Sequence, residues 1–582
     1  MSATLFKEVS YSLSKLIADI DIGEIGLPEI QRPFVWTNKK IRDLFDSMYK
    51  GFPVGYLLFW SNGVGGGHKQ IGTVKKQKVP RLLIVDGQQR LTSLYAVLKG
   101  QEVLRSDYTS NKIQIAFNPT QEKFEVADAA IKRNPEWIPD ISRIWSGETK
   151  PHRFMKDYII DLKNKTSIEQ DKEDELFENM DNLYDLQNYP FTALELSRNI
   201  NEEDVADVFV RINSKGTLLN QADFILTLMS VFWDEGRSNL ELFCRETRNP
   251  DTKDSSPFNY FIEPDPDQLL RASIAYGFKR ARLQNVYNVL RGKDLDTGEF
   301  SDRRRNKQFK ILQKAQEEVL DIQNWHEFFK VLVSAGFRRG DVISSETGLI
   351  YTYAMYLIGK NDYKVDPFEL RKTMARWFFM SALTARYSSS AETQMEQDLN
   401  NLRSVKTGDD FLSLLNGIID DSLTDDYWNI RLPNNLTSTA ARSPSLFAYY
   451  ASLNLLGAKG LFSNIKISEL LEAGIRSKKS PLERHHLFPK AYLDRIGITE
   501  RWDQNQIANY ALVEWSDNIK ISDKSPSDYY KKYAKRFTDR QLKRMMNMHA
   551  LPAGWEKMNY HEFLPIRRKM MSDMIKKGFN KL

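Results

Sequence analysis

Two adjacent histidines, His485 and His486, stand inside the run Glu-Arg-His-His-Leu-Phe-Pro-Lys at residues 483–490. Pro489 follows the second by three residues, and two asparagines come after it, Asn509 and Asn518. Imidazole is the side chain that exchanges a proton near neutral pH, and it is also a nitrogen ligand for metals. Carboxamide oxygens add hard donors. Together these types suit metal-assisted hydrolysis, in which one imidazole takes a proton from water and a few donors hold a divalent cation against a phosphate. A zinc ribbon is excluded, because the single cysteine of the chain is Cys244.

A second constellation lies in the N-terminal part. Residues 81–98 read Arg-Leu-Leu-Ile-Val-Asp-Gly-Gln-Gln-Arg-Leu-Thr-Ser-Leu-Tyr-Ala-Val-Leu. They predict an apolar strand over 82–85, then Asp86 and Gly87, then a helix beginning near Gln88 and Gln89. Such a junction presents backbone amides and the positive end of a helix dipole to an anion. Gly87 permits close backbone approach, and Arg90 adds a guanidinium suited to phosphate. A capped helix whose arginine makes a surface salt bridge would read the same way. Two more segments set polar residues among apolar ones: Gln31 and Arg32 before Pro33, and Arg211, Asn213 and Ser214 after Phe209. These complete a polyphosphate site or, for Asn213 and Gly216, simply form a turn.

These side chains need elements to hold them. Leu91, Leu94, Tyr95 and Leu98 have the spacing of a core-packed helix. A helix is expected over 38–50 and a strand over 51–60. In the C-terminal part, a strand over 483–488 ended by Pro489, a strand over 510–515 and a helix opened by Ser525 and Pro526 make a ββα arrangement. Asn518 is expected in the connection between that second strand and that helix. Between the two regions, 155–190 reads as acidic and helical, and 235–435 as mostly helical. Its strongest helices are 309–320 and 370–383, and 291–305 reads as a loop. Arg386-Tyr387-Ser388 either contacts DNA or caps the junction of two helices. Pro433-Asn-Asn and Ser443-Pro-Ser mark a hinge.

A chain of 582 residues with 41% hydrophobic and 12% aromatic content exceeds one core and fits three or four domains. One cysteine points to a reducing compartment. The first residues lack the pattern of a signal peptide, and no apolar run approaches the ~20 residues of a membrane helix, so a soluble, cytoplasmic protein is expected. The net charge of +6 is uneven: from Gly474 onward, 23 Lys and Arg stand against 12 Asp and Glu, a balance of +11. That basic face suits phosphate contacts through Lys490, Lys520, Lys524, Lys531 and Lys532, although solvated helix surface has a similar look.

Both ends of the chain resemble known families. Residues 10–230 resemble the DUF262 family, a ParB/sulfiredoxin-like domain, through Gln-Arg-Pro-Phe-Val-Trp, Asp-Gly-Gln-Gln-Arg and Phe-x-Arg-Ile-Asn. Residues 440–582 resemble the DUF1524 family of HNH (His-Me finger) nucleases through the His-His pair, Pro489 and the two asparagines. Together they resemble GmrSD-type, modification-dependent (type IV) restriction enzymes, with BREX-associated and phosphorothioate-sensing relatives.

The resemblance implies a multidomain α/β plus α protein: a nucleotide-binding α/β domain at 1–235, a helical middle at 236–435 and a ββα-metal HNH nuclease domain at 436–582. It implies that His486 is the base, that Asn509 ties the loop to the following strand, and that His485 and Asn518 are metal ligands. A nucleoside triphosphate of unnamed base would bind Gln31, Arg32, Asp86, Gly87, Gln88, Gln89, Arg90, Arg211, Asn213 and Ser214. The expected metal is Mg²⁺. Many relatives carry an acidic residue where this chain has His485, and a softer imidazole also admits Mn²⁺, Co²⁺ or Ni²⁺. The partner would be double-stranded, modified phage DNA, with no membrane and with a homodimer allowed. Two other readings are a ParB-like nucleotide-switched DNA-binding regulator and an RNA-cleaving toxin.

Overall fold

The computed structural model describes residues 6–28, 34–61, 68–69, 80–105, 108–147, 150–165, 170–197, 221–248, 255–294, 297, 299, 301–471 and 482–582. The chain forms two compact units, Met1–Ser238 and Asn239–Leu582. The first is mixed α/β and the second mostly helical.

The first unit is built on a six-stranded sheet of order β1–β10–β3–β5–β2–β4. Its strands are β1 (Phe6–Ser12), β2 (Ile25–Pro28), β3 (Leu57–Ser61), β4 (His68–Lys69), β5 (Leu82–Asp86) and β10 (Pro190–Leu196). Two hairpins lie between them in sequence, β6 (Glu102–Leu104) with β7 (Ser110–Lys112), and β8 (Ile115–Asn118) with β9 (Lys123–Val126). β10 runs parallel to β3 and β5 parallel to β2; the other sheet neighbours are antiparallel. The continuous apolar run of β5 follows from burial on both faces. Leu82 and Ile84 join one core with Leu57 and Phe59, while Leu83 and Val85 join another with Leu58 and Trp60. Helices α1 (Leu13–Asp21), α2 (Asn38–Tyr49) and α3 (Gln88–Lys99) pack into the first of these cores through Leu16, Phe45, Leu91 and Leu94.

The expected strand over 51–60 begins only at Leu57. Gly51 and Gly55 adopt positive φ (72° and 88°) around Pro53, a backbone that cannot continue a ladder. Gln31, Arg32, Arg211, Asn213 and Ser214 lie outside the described residues.

In the second unit, the helices Asp302–Leu320 and Pro367–Thr384 contain the two expected from periodicity. The first begins inside the stretch read as a loop, where Ser301 and Asp302 provide an N-terminal signal that the arginine-rich composition masked. The stretch read as a hinge is instead built in: Leu432–Asn435 is helical, and Ser443, 4% exposed, opens the helix Pro444–Leu455. The last helix, Tyr560–Phe579, packs across this region, with Phe579 against Trp428 and Phe379 and with Ser572 donating to the Trp428 carbonyl at 2.6 Å. The residues expected as a helical middle and as a C-terminal domain therefore sit together in one unit.

The Arg386 junction is tied together internally. The Arg386 guanidinium and the Tyr387 hydroxyl both donate to Asp398, the hydroxyl at 2.7 Å. Asp398 is 1% exposed and Tyr387 2%. Removing one partner of a buried, hydrogen-bonded charge pair leaves the other uncompensated. Asp398→Ala should therefore lower the stability of the protein by about 3 kcal/mol or more, measured by urea unfolding followed by circular dichroism.

Candidate active site

The histidine pair lies on β11 (Leu482–His486), which pairs antiparallel with β12 (Tyr510–Glu514), His486 opposite Tyr510. The helix Trp515–Ile521 follows β12 directly and carries Asn518. Asn518 thus lies between the second strand and the Ser525 helix, as expected, but on a short helix of its own. The helix at Ser525 exists as well: Ser525 accepts from the Asp528 amide and Pro526 fills the first turn.

Strand alternation gives the two histidines different neighbours. His485, 3% exposed, sets its Nδ1 2.8 Å from Asn518 Oδ1 and its ring edge-on to Tyr529. The Asn518 Nδ2 donates to Glu483 Oε2 at 2.6 Å, which fixes the amide so that its oxygen faces the imidazole. His486, the last residue of the strand, lies with Nε2 3.1 Å from Asn505 Oδ1 and its ring centroid 4.6 Å from that of Tyr510. The Tyr510 hydroxyl also donates to Asn505 Oδ1, at 3.2 Å.

Asn509 is fully buried and uses both ends of its amide. Its Oδ1 accepts from the Phe488 amide at 2.9 Å, and its Nδ2 donates to the carbonyls of Phe488 and Gln504. It ties the turn before β12 to the segment that leaves β11. Sequence reasoning missed Glu483, Asn505 and Tyr510. For Glu483 a signal existed, since i and i+2 share a strand face and place it beside His485.

Whether this cluster fits a cation can be judged from its donors. Two ligand atoms on one small octahedral cation stand about 3 Å apart, close to the Nδ1–Oδ1 separation here. The buried Nε2 of His485 has no hydrogen-bond partner. Among the described residues no group of three or more His, Cys, Asp or Glu could hold a metal. His485 Nδ1 and Asn518 Oδ1 are thus spaced as two neighbouring ligands of one small cation would be, with Nδ1 open to a cation once the proton it shares with Asn518 is gone.

The five lysines Lys490, Lys520, Lys524, Lys531 and Lys532 are all exposed. Neighbouring arginines are tied down, Arg536 to Asp517 and Arg495 to Asp523.

At the other candidate site, Gly87 has φ 93° and caps α3 without a side chain. A Cβ there would stand 2.4 Å from Leu57 Cδ2, so glycine is required by space as well as by φ. The Gln89 Oε1 accepts from the amides of Val35 and Trp36, at 2.9 and 3.3 Å. The Arg90 NH1 donates to the Tyr56 carbonyl at 2.9 Å, and desolvation lowers the pKa of its guanidinium. Asp86 ends β5 beside this turn. The structure thus gathers Asp86, Gly87, Gln88, Gln89 and Arg90 at one strand–helix junction, with Arg90 also bracing the 51–56 loop.

Burial holds His485 down to about 4, the Asn518 contact opposing and His486 adding to the effect; burial likewise holds the fully buried His549 down to about 4. Both stay neutral in the folded state where the unfolded chain, with histidine near 6.5, takes up protons. Their contribution is full above the unfolded value and is lost as pH falls toward 4. Thermal midpoints should decline from pH 7 to pH 4, and His549→Gln should show the shallower decline when both proteins are scanned across that range.

An uncharacterized protein of Methanocaldococcus jannaschii is 24% identical over 542 residues, covering 88% of this chain and 84% of the relative. Among the described residues, no helix is long and apolar enough to cross a membrane. Residues 13–230, which contain the Gly87 junction, match the family described as the GmrSD restriction endonuclease, N-terminal domain. That match supports a relation to the GmrSD-type restriction endonucleases through the N-terminal domain.

Proposed function

We propose that this protein is an NTP-regulated, divalent-metal-dependent endonuclease that restricts foreign DNA, in particular modified phage DNA. The observation that carries the reading is the hydrogen-bonded set Glu483–Asn518–His485, one residue from the His486–Asn505 pair, gathered around the antiparallel strands β11 and β12. The C-terminal region would be a ββα-metal nuclease of HNH type, and the 13–230 domain would bind and hydrolyse the nucleotide.

In this reading Asn505 Oδ1 accepts from His486 Nε2–H, which leaves the Nδ1 lone pair to take a proton from water. Burial lowers the His486 pKa, and Lys490 and Arg484 lower it further against the Asn505 contact. The ring is then neutral at working pH, as a base must be. His485 and Asn518 would hold the cation, which when bound supplies positive charge to the phosphate. Glu483 keeps the Asn518 oxygen turned toward that place. The exposed lysines would contact backbone phosphates without reading sequence.

His486→Ala should reduce DNA cleavage by about 10²–10⁴-fold while NTP hydrolysis persists, in assays on modified and unmodified phage DNA with and without each NTP. Near-wild-type cutting would remove the assignment, and RNA run beside DNA tests the toxin reading. Asn518→Ala should shift the metal titration of cleavage to higher concentration; an unchanged titration removes Asn518 from the ligand set. Arg90→Ala should weaken NTP binding by about 1.5–3 kcal/mol, read by calorimetry. Unaltered affinity would make the Gly87 junction structural only.

A further inference from the structure

Trp502 is 64% exposed, an unusual setting for the largest apolar side chain. It stands on the short helix Arg501–Gln504, which is held from several directions. The buried Gln504 donates to Asp494 and to the Ile498 carbonyl, both at 2.7 Å. The buried Tyr560 donates its hydroxyl to the Asp503 carbonyl at 2.8 Å. Asn505 donates to the Arg501 carbonyl at 2.8 Å while its oxygen contacts His486. The helix that displays the indole is therefore braced by the residue that orients the proposed base.

An indole held out on a braced turn needs an occupant, and the surroundings indicate which. Arg501 beside it is exposed, as are Arg484 and Lys490 on either side of the histidine pair. Cations interleaved with an exposed aromatic make the pattern that binds a nucleic-acid backbone while stacking a base. The geometry points to Trp502 as a stacking platform for a nucleobase next to the scissile phosphate, drawn out of its pair or its stack when the nuclease engages DNA. This rests on the nuclease reading above and adds the local form of the substrate: a duplex distorted at the cut and not an undisturbed helix. Unstacking a base costs free energy, and the indole face recovers part of it.

The test uses the full chain and a labelled DNA duplex series in which a single abasic nucleotide is walked along one strand. Binding is read by fluorescence anisotropy in the His486→Ala background, and cleavage by the otherwise wild-type protein. Removing the stacked base should weaken wild-type binding or cleavage roughly ten-fold at one position of the series. Trp502→Ala should show the same loss on intact duplex and no further loss on the abasic duplex, and Trp502→Phe should keep most of the wild-type value. If Trp502→Ala matches wild type on intact duplex, or its loss adds to that of the abasic site, the stacking role is overturned. Should neither the wild type nor His486→Ala cut DNA, the nuclease reading fails, and the anisotropy series still decides whether Trp502 meets a base.

Discussion

Arg567 sits within the last helix with no exposed surface, and its guanidinium donates to the backbone carbonyls of Ala508, Tyr510 and His549. Burial lowers its pKa, opposed by the tyrosines Tyr449, Tyr529 and Tyr450 around it. A buried cation needs acceptors for its N–H groups, and here the two terminal nitrogens have them while Nε does not. The helix Tyr560–Phe579 therefore cannot slide along the hairpin without stranding that charge. Two of the three carbonyls flank Asn509, so the same contact fixes the turn on which the candidate site is organised.

From that turn the geometry propagates outward by short steps. Asn509 clamps Phe488, and the backbone amide of Leu487 donates to the Asn509 carbonyl at 2.8 Å. The Tyr529 hydroxyl reaches the Leu487 carbonyl from the other side. The end of β11 is thus held on two sides immediately after His486. Each imidazole then receives an amide partner from a different element, Asn518 from a helix and Asn505 from a turn. Neither amide oxygen is free to choose its direction: Glu483 holds one, and the Arg501 carbonyl holds the other.

The first unit solves a different problem with similar means. A tight junction between β5 and α3 is allowed only because residue 87 has no side chain to meet Leu57. Arg90 crosses from that helix to the 51–56 loop, and Gln89 crosses to the 35–36 backbone. The junction and the two segments beside it are thereby joined through side chain to backbone contacts, which leave less slack than contacts between two long side chains. That is the kind of support a phosphate site at a helix end needs.

Local structure was legible in the sequence. The His485–His486 pair with Pro489, Asn509 and Asn518, the Gly87 junction and the core-facing spacing of Leu91, Leu94, Tyr95 and Leu98 all depend on residue type and short-range period. Those signals survive folding because caps, turns and strand alternation act over a few residues. What acts over long separations was not legible. The strand read over 51–60 failed because two glycines and a proline took the backbone out of the ladder before its apolar residues began. Asn505, 19 residues from His486, and Glu483, 35 from Asn518, became partners only through the hairpin and the helix after it. The supposed hinge near 433–443 was decided by the terminal helix packing back over it. Sequence determined which groups were available and which turns were allowed; only the tertiary structure decided which of them met, because a hydrogen bond is set by a separation of about 3 Å in space and carries no trace of the distance along the chain.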